Sequence, residues 1–551
     1  MKLAAIKNLR KSYGDREILN IEKFEVEEND KIGLVGGNGA GKTTLLKILI
    51  GEEEADSGNI YLDQSYSYIS QLDDHFKSCT DSKIKKIFKA PTEYCEYLSG
   101  GEKVKMRVVS ALEENCSLII ADEPTSNLDA ESIAALMKMF KKYKGSLLVV
   151  SHDRQFLNYI CNKICELEDG KLTLYKGNYD DYLRLKEENY LKQKNEHEKY
   201  VHEKARLESV INEKEVLRDR IKKAPKGMGK SEAKTIKMGD QRGKKHIENN
   251  IKSIEKRIEH LDKVEAPKKK QKIVININDG SELKSKNVVG INDYRLMVKD
   301  KVLADKINLN LKSGDKIALI GPNGCGKTTL LKKIIAGNEK GIKLSPAVKI
   351  GYFDQKQAIL EEEKSILENI KNESSWDETF IRINLSEFGF KNEAVNELVK
   401  DLSGGEKVKV AICKIILADN NLLILDEPTN YLDIVTIEAL ENALFNTDKT
   451  LILVSHDIEF IKHICNCIVE FKNNSLIQFK GTYAEYINSA NKNEDKQQRH
   501  IDDEILLLDN KIAEIINLLS LEKNEDVKKK LNQEFLNLSQ KLNILKEQKN
   551  S

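Results

Sequence analysis

Two short stretches of this 551-residue chain have the residue types and spacing needed to hold a nucleoside triphosphate. The first is Gly36-Gly37-Asn38-Gly39-Ala40-Gly41-Lys42-Thr43, and the second is Gly321-Pro322-Asn323-Gly324-Cys325-Gly326-Lys327-Thr328. Both fit the pattern G-x-x-x-x-G-K-[ST]. Where glycine leaves no Cβ in the way, backbone N–H groups can wrap a phosphate, so Gly36, Asn38, Gly39 and Gly41, with Gly321, Asn323, Gly324 and Gly326, are candidate contacts. Lys42 and Lys327 would reach the β- and γ-phosphates. Thr43 and Thr328 would hold Mg²⁺, with Thr44 and Thr329 as further nucleotide contacts. A glycine-rich turn without a ligand is the alternative, and two copies in the same context argue against it.

Paired acids supply the rest of the chemistry. Asp122-Glu123-Pro124-Thr125 follows the apolar run Ser117 to Ala121, and Asp426-Glu427-Pro428-Thr429 follows Asn421 to Leu425. The first acid of each pair can join the Mg²⁺ shell, and the second, Glu123 or Glu427, can orient or deprotonate an attacking water. Each half also repeats Leu-Ser-Gly-Gly-Glu, at 98–102 and 402–406, and Ser-His-Asp, at 151–153 and 455–457. Ser-His-Asp could be taken for a hydrolase triad, but a triad is convergence in space rather than adjacency in sequence.

The elements that must position these groups are legible. Each phosphate loop follows an apolar strand, Lys31 to Val35 or Lys316 to Ile320, and precedes an apolar helix whose positive N-terminal end faces the phosphates. The acids stand at the ends of further apolar strands. The fold class is therefore α/β, present twice.

This order of motifs resembles the ATP-binding cassette family: phosphate loop, glutamine, LSGGE, acidic pair, histidine. The resemblance covers each half nearly end to end. It implies two P-loop ATPase domains that meet head to tail within a monomer, with ATP between the phosphate loop of one and the LSGGE of the other. One site would use Lys42, Gln71, Asp122, Glu123 and His152 with Ser403, Gly404 and Gly405. The other would use Lys327, Gln355, Asp426, Glu427 and His456 with Ser99, Gly100 and Gly101. Gln71 and Gln355 would reach both the metal and the water, and the histidines would take part in catalysis. ATP and Mg²⁺ are the implied cofactors. The family's base-stacking ring would be Tyr13; counting back from Leu303 as from Leu19 puts Met297 at that place in the second half, with Tyr294 close by.

Composition excludes several classes. Hydrophobic residues make up 40% and the net charge is +1, so a uniformly nucleic-acid-coating protein is not indicated. No run approaches the ~18 apolar residues that span a bilayer, and the polar start lacks a leader core. A cytoplasmic protein without its own permease is expected. The nine cysteines have no scaffold spacing. Cys161/Cys165 and Cys465/Cys467 could be read as metal ligands, but their equivalent placement in the two halves favours buried structural thiols.

Four parts emerge. Residues 1–183 form the first ATPase domain and 267–490 the second. Residues 184–266 are rich in Lys, Glu and Arg. Leu207, Val210, Leu217 and Ile221 form one apolar stripe, and Ile247, Ile251, Ile254, Ile258 and Leu261 another. Two such stripes predict an antiparallel helical hairpin that reaches tens of Å at about 1.5 Å per residue. Its tip, near 218–245, holds Pro225, Gly227, Gly229, Gly239 and Gly243, all read as helix breakers, and is strongly basic, with Met228, Ile236 and Met238 among the charges. A charge run is usually a solvated surface; on a long stalk it also suits RNA phosphates and bases. Residues 491–551 carry two further stripes, Ile501 to Leu519 and Leu531 to Leu545, which predict a C-terminal α-helical hairpin.

Two ATPase domains joined by a charged helical hairpin, without a membrane domain, resemble the ABC-F group of translation factors, and most closely its Vga-type antibiotic-resistance branch. That resemblance implies binding to the 70S ribosome at the E site, near 23S rRNA and P-site tRNA. It implies protection of the peptidyl-transferase centre from lincosamides, pleuromutilins and streptogramin A. A housekeeping ABC-F factor and the ATPase subunit of an exporter with a separate permease are the alternatives.

Overall fold

The computed structural model describes the chain except for residues 15, 221–229, 262, 300, 338, 355–358, 473, 490–504 and 551, most of 71–99 and 268–286, and scattered positions between 506 and 524. Side chains at 220–243 and near both ends of the last helix are also outside the described set. Gln71, Ser99, Gln355 and the side chains of the basic tip from 220 to 243 therefore lie outside the described residues. The chain forms two compact units, residues 1–125 with 135–273 and residues 126–134 with 274–551.

The first unit opens with an antiparallel hairpin, β1 (Lys2–Tyr13) and β2 (Arg16–Glu27). β3 (Lys31–Val35) and α1 (Lys42–Ile50) carry the first phosphate loop between them. Then come β4 (Ser57–Leu62), β5 (Tyr66–Ile69), α2 (Gly100–Glu113), β6 (Leu118–Asp122), α3 (Ala130–Lys142), β7 (Ser146–Val150) and α4 (Arg154–Ile160). β8 (Lys163–Glu168) and β9 (Lys171–Lys176) complete the sheet. The order is β2-β1-β4 in a small sheet and β5-β6-β7-β3-β8-β9 in a large one. In the large sheet all neighbours are parallel except β8 and β9. Every residue of β6 and β7 is buried, which is why both read as unbroken apolar runs rather than alternating ones.

The second unit repeats this plan. β10 (Asn287–Val298) and β11 (Lys301–Lys312) form the hairpin, and β12 (Lys316–Ile320) and α7 (Lys327–Ala336) flank the phosphate loop. β13 (Ile342–Leu344) and β14 (Ile350–Phe353) follow. Next are α8 (Ile366–Lys371) and α9 (Glu378–Glu387), in a stretch that is longer than its counterpart in the first half's sequence. Then come α10 (Gly404–Leu417), β15 (Leu422–Asp426), α11 (Ile434–Asn446), β16 (Thr450–Val454), α12 (Ile458–Ile464), β17 (Cys467–Lys472) and β18 (Ser475–Lys480). The sheets run β11-β10-β13 and β14-β15-β16-β12-β17-β18. The duplicated α/β fold expected from the sequence is present.

Between the sheets the chain runs into α5 (Tyr179–Arg220, 42 residues) and α6 (Lys230–Glu259, 30 residues), which belong to the first unit. α6 passes through Gly239 and Gly243, two of the residues expected to break it. An isolated glycine costs a helix only ~1 kcal/mol relative to alanine, and the surrounding Lys, Glu, Gln and Met are good helix formers. α5 ends at Arg220 and α6 begins at Lys230, so Pro225, Gly227 and Gly229 lie outside the described residues. The two stripes are also unequal: Leu207 and Ile251 are buried, whereas Leu217 is 53% exposed. Farther along, α13 (Glu525–Asn550) closes the chain, and the described residues between 505 and 519 are helical.

Candidate nucleotide sites

Each phosphate loop depends on one tight glycine at the helix entry. Gly41 (φ +99°) and Gly326 (φ +111°) are left-handed N-caps of α1 and α7. A Cβ at Gly41 would lie 2.6 Å from Ile18 Cγ2, and one at Gly326 would lie 2.9 Å from Leu303 Cδ1. Steric room and φ thus both require glycine there. Lys42 Nζ donates to the carbonyls of Gly36 (2.9 Å) and Gly37 (3.0 Å), and Lys327 Nζ to those of Gly321 (2.7 Å) and Pro322 (3.1 Å). Both ammonium groups lie folded over their own loops, where phosphates would be met.

Thr43 Oγ1 donates to Asp122 Oδ2 at 2.8 Å, and Thr328 Oγ1 to Asp426 Oδ2 at 2.7 Å. One hydroxyl and one carboxylate are hard oxygen donors. They fit Mg²⁺, which completes its octahedron with waters and phosphate oxygens rather than an all-protein cage. Among the described residues no group of three or more His, Cys, Asp or Glu side chains could hold a metal, so the cysteine pairs form no such site. Cys161, Cys165, Cys465 and Cys467 are instead buried free thiols, and burial pushes Cys161 and Cys165 up to about 12.

The second acid of each pair is held in a strained backbone. Glu123 (φ +51°) and Glu427 (φ +55°) are non-glycine residues at positive φ, a conformation that costs about 1–3 kcal/mol and concentrates at functional sites. The adjacent β7 and β16 ends supply what orients them. His152 N donates to Glu123 Oε2 at 3.4 Å, and the His152 ring stands 3.5 Å from Oε1. His456 repeats this on Glu427 at 3.3 and 3.4 Å. Asp153 and Asp457 cap α4 and α12, which fixes the turn that carries each histidine. Ser-His-Asp is therefore a cap and a ring holder, not a triad. Burial raises both glutamates to about 8; the neighbouring Asp122 charge adds to this at Glu123, and Asp426 does so at Glu427. A carboxyl poised near neutrality suits proton transfer. Burial, with the Lys327 charge, lowers His456 to about 4, so its imidazole is neutral at pH 7.

The LSGGE segments begin helices. Gly404 and Gly405 occupy the first turn of α10, and Gly100 and Gly101 that of α2. Their N–H groups are among the orphan donors that make a helix N-terminus attract anions. Ser403 is the N-cap of α10 in a capping box with Glu406, its Oγ 2.6 Å from Glu406 Oε2.

Two features escaped sequence reasoning. Residues 126–134 group with the second unit, where Asn323 N donates to Asp129 Oδ2 (3.3 Å) and Asn323 Nδ2 to the Asn127 carbonyl (3.1 Å). Asn323 Oδ1 also faces His456 Nε2 at 3.1 Å. A repeated Leu-Asp, 128–129 and 432–433, was the available sign. The second feature is a register correction. Tyr13 pairs with Arg16 across the β1–β2 turn, and Val298, not Met297, pairs with Lys301 across the β10–β11 turn. Gly14 (φ +58°) and Lys299 (φ +51°) match as the next residues. Tyr13 donates to the Glu53 carboxylate and accepts from Thr44, which holds its ring beside the first phosphate loop. Valine stands at the equivalent place, and Tyr294 is a buried core residue. Val298→Tyr, in a Lys42→Ala background that isolates the second site, is expected to tighten ATP by about 1 kcal/mol or more, roughly fivefold at least, because a base stacked on an aromatic ring gains that much. Fluorescent-nucleotide titration measures it, and an unchanged affinity would contradict the register assignment.

Phosphate loops at strand–helix junctions, paired acids and LSGGE helix starts, all duplicated, define an ATP-binding cassette ATPase. Family descriptions named ABC transporter match residues 19–82 with 304–430, and 165–276. The ATP-binding protein Uup of Buchnera aphidicola is 32% identical over 87% of this chain and 82% of its own length. ABC transporter F family member 5 of Arabidopsis thaliana is 31% identical over 88% and 77%. Ribosome protection protein VmlR of Bacillus subtilis is 31% identical over 86% and 88%. The solved complex of an archaeal ribosomal stalk protein with the recycling factor aABCE1 superposes with a TM-score of 0.58 over 88% of this chain and 92% of that one, at 20% identity, a likeness of fold. The chain belongs to the ATP-binding cassette family, with relatives of the ABC-F type, and is an ATPase.

Proposed function

We propose that this ATPase acts on the ribosome: it binds the 70S particle at the E site and directs the α5–α6 arm towards the peptidyl-transferase centre. There it protects translation from lincosamides, pleuromutilins and streptogramin A. The observation that carries this reading is the arm itself. At about 1.5 Å per residue α5 alone measures about 60 Å, far more than is needed to link two domains. Its basic tip sequence suits phosphate backbone. The likeness to a protein named for ribosome protection supports the same reading. ATP would be bound with Mg²⁺ by the residues described above, one site pairing Lys42 with Ser403 and the other Lys327 with Ser99.

A housekeeping role in translation is the second reading. It is favoured by the comparable identity to Uup (32%) and to the plant F-family member (31%), neither of whose names mentions resistance. An exporter subunit has less support, since that reading assigns the long arm no role. Among the described residues no helix is long and apolar enough to cross a membrane.

Deleting Lys226 to Lys237 separates the readings. The deletion leaves both phosphate loops intact, so ATP turnover is expected to match the full chain. Rescue of drug-inhibited translation in vitro is expected to disappear. Equal rescue by both proteins at matched ATPase activity would remove the protection reading.

A further inference from the structure

The root of the arm is held by a buried polar cluster that neither the nucleotide chemistry nor the packing of the sheet requires. Glu166, on β8, is 7% exposed. Its Oε1 accepts from Tyr182 Oη at 2.6 Å and from the Lys186 ammonium, and its Oε2 from Tyr175 Oη at 3.5 Å. Tyr182 and Lys186 lie in the first two turns of α5, and Tyr175 lies on β9. The Tyr175 and Tyr182 rings meet edge to face at 5.0 Å, with Tyr179 5.5 Å from Tyr182. The Lys186 ammonium also lies 5.8 Å from the Tyr182 ring centroid.

Glu166 is tied to the other end of the machinery as well. It is the strand partner of Val35, the residue that enters the phosphate loop. The next residue backs that loop: a Cβ at Gly36 would lie 2.5 Å from the Leu167 carbonyl oxygen. One buried carboxylate therefore joins the strand behind the first phosphate loop to the start of the arm.

The second cassette provides an internal control. Glu470 is likewise the strand partner of Ile320, and Tyr483 and Tyr486 match Tyr179 and Tyr182. But in the aligned sequences Phe479 replaces Tyr175 and alanine, at 490, replaces Lys186. Two of the three donors are missing from the copy that carries no interdomain arm.

We infer that the Glu166–Lys186–Tyr182 cluster is a clamp that fixes the direction of the arm to the phosphate-binding core of the first cassette, with Lys186 as its positioning residue. Geometry makes such a clamp consequential. From Lys186 to Arg220 the helix runs about 50 Å, so a 5° swing at the root displaces the far end by about 4 Å. A side chain placed by such a lever needs a stiff root. The inference extends the proposed role of the arm, but its test contains no ribosome, so the two can fail separately.

Labels at Leu217 on α5 and Ile60 on β4, both exposed, report the arm's direction as a distance distribution by double electron–electron resonance. The full chain is expected to give one narrow distribution. Lys186→Met leaves the Glu166 charge with its tyrosine donors but without its cation, so the neutral pair Glu166→Gln, Lys186→Met is the second variant; it keeps the cluster's shape without a stranded charge. Both are expected to broaden the distribution at least twofold while basal ATP turnover stays within twofold, and Lys186→Arg is expected to restore the width. A folded double variant with the width of the full chain would overturn the clamp.

Discussion

The double variant Glu123→Gln, Glu427→Gln is expected to bind ATP and to lose turnover by about 10²- to 10⁴-fold, the range that a positioned general base contributes. Glutamine preserves the length and the hydrogen bonds to the backbones of His152 and His456, but it cannot accept a proton from water. The structure gives this substitution its meaning. Each glutamate is buried, strained to positive φ and raised to about 8, with an imidazole within 3.5 Å of its carboxylate. Asp122 and Asp426, one residue earlier and bonded to Thr43 and Thr328, are unchanged and would still hold Mg²⁺, so nucleotide affinity should change little. Phosphate release and nucleotide binding, measured on one preparation, check both halves of the expectation. Rapid turnover by the double variant would refute the assignment of the base.

Ser403→Arg is expected to have the second largest effect. It should abolish turnover at the site that contains Lys42, in the other half of the chain. Ser403 caps α10, and removing such a cap costs ~1 kcal/mol, small against the 5–15 kcal/mol of a typical domain, so the protein should stay folded. The bulky cation, by contrast, would stand where the helix N-terminus should meet a phosphate. Single-site variants, Lys42→Ala or Lys327→Ala, resolve which turnover is lost. Loss confined to the site that contains Lys327 would contradict the head-to-tail pairing.

Much of the chemistry was legible because it is local. Phosphate loops, acid pairs and LSGGE helix starts are each written within a few consecutive residues, and duplication doubled the signal. Unbroken apolar runs such as Leu118 to Ala121 gave the buried parallel strands for the same reason. What was not legible depends on pairing across the chain. Counting residues back from Leu303 gives Met297, whereas strand register gives Val298: Leu19 faces Lys11 as Ala304 faces Leu296, so Leu303 matches Ile18 rather than Leu19. Gly239 and Gly243 were read as breaks although strong helix formers on both sides outweigh two isolated glycines. The Glu166 clamp joins residues twenty positions apart on three elements, and no local pattern marks it.

The proposed role requires the ATP-bound protein to stay on the ribosome, and sucrose-gradient fractionation of cells that express the Glu123→Gln, Glu427→Gln variant, with ATP present throughout, reads this. The trapped protein is expected to co-sediment with 70S particles, and a Lys42→Ala, Lys327→Ala variant to stay at the top of the gradient. Recovery of the trapped protein in the membrane or nucleoid fraction, with none on ribosomes, would contradict it.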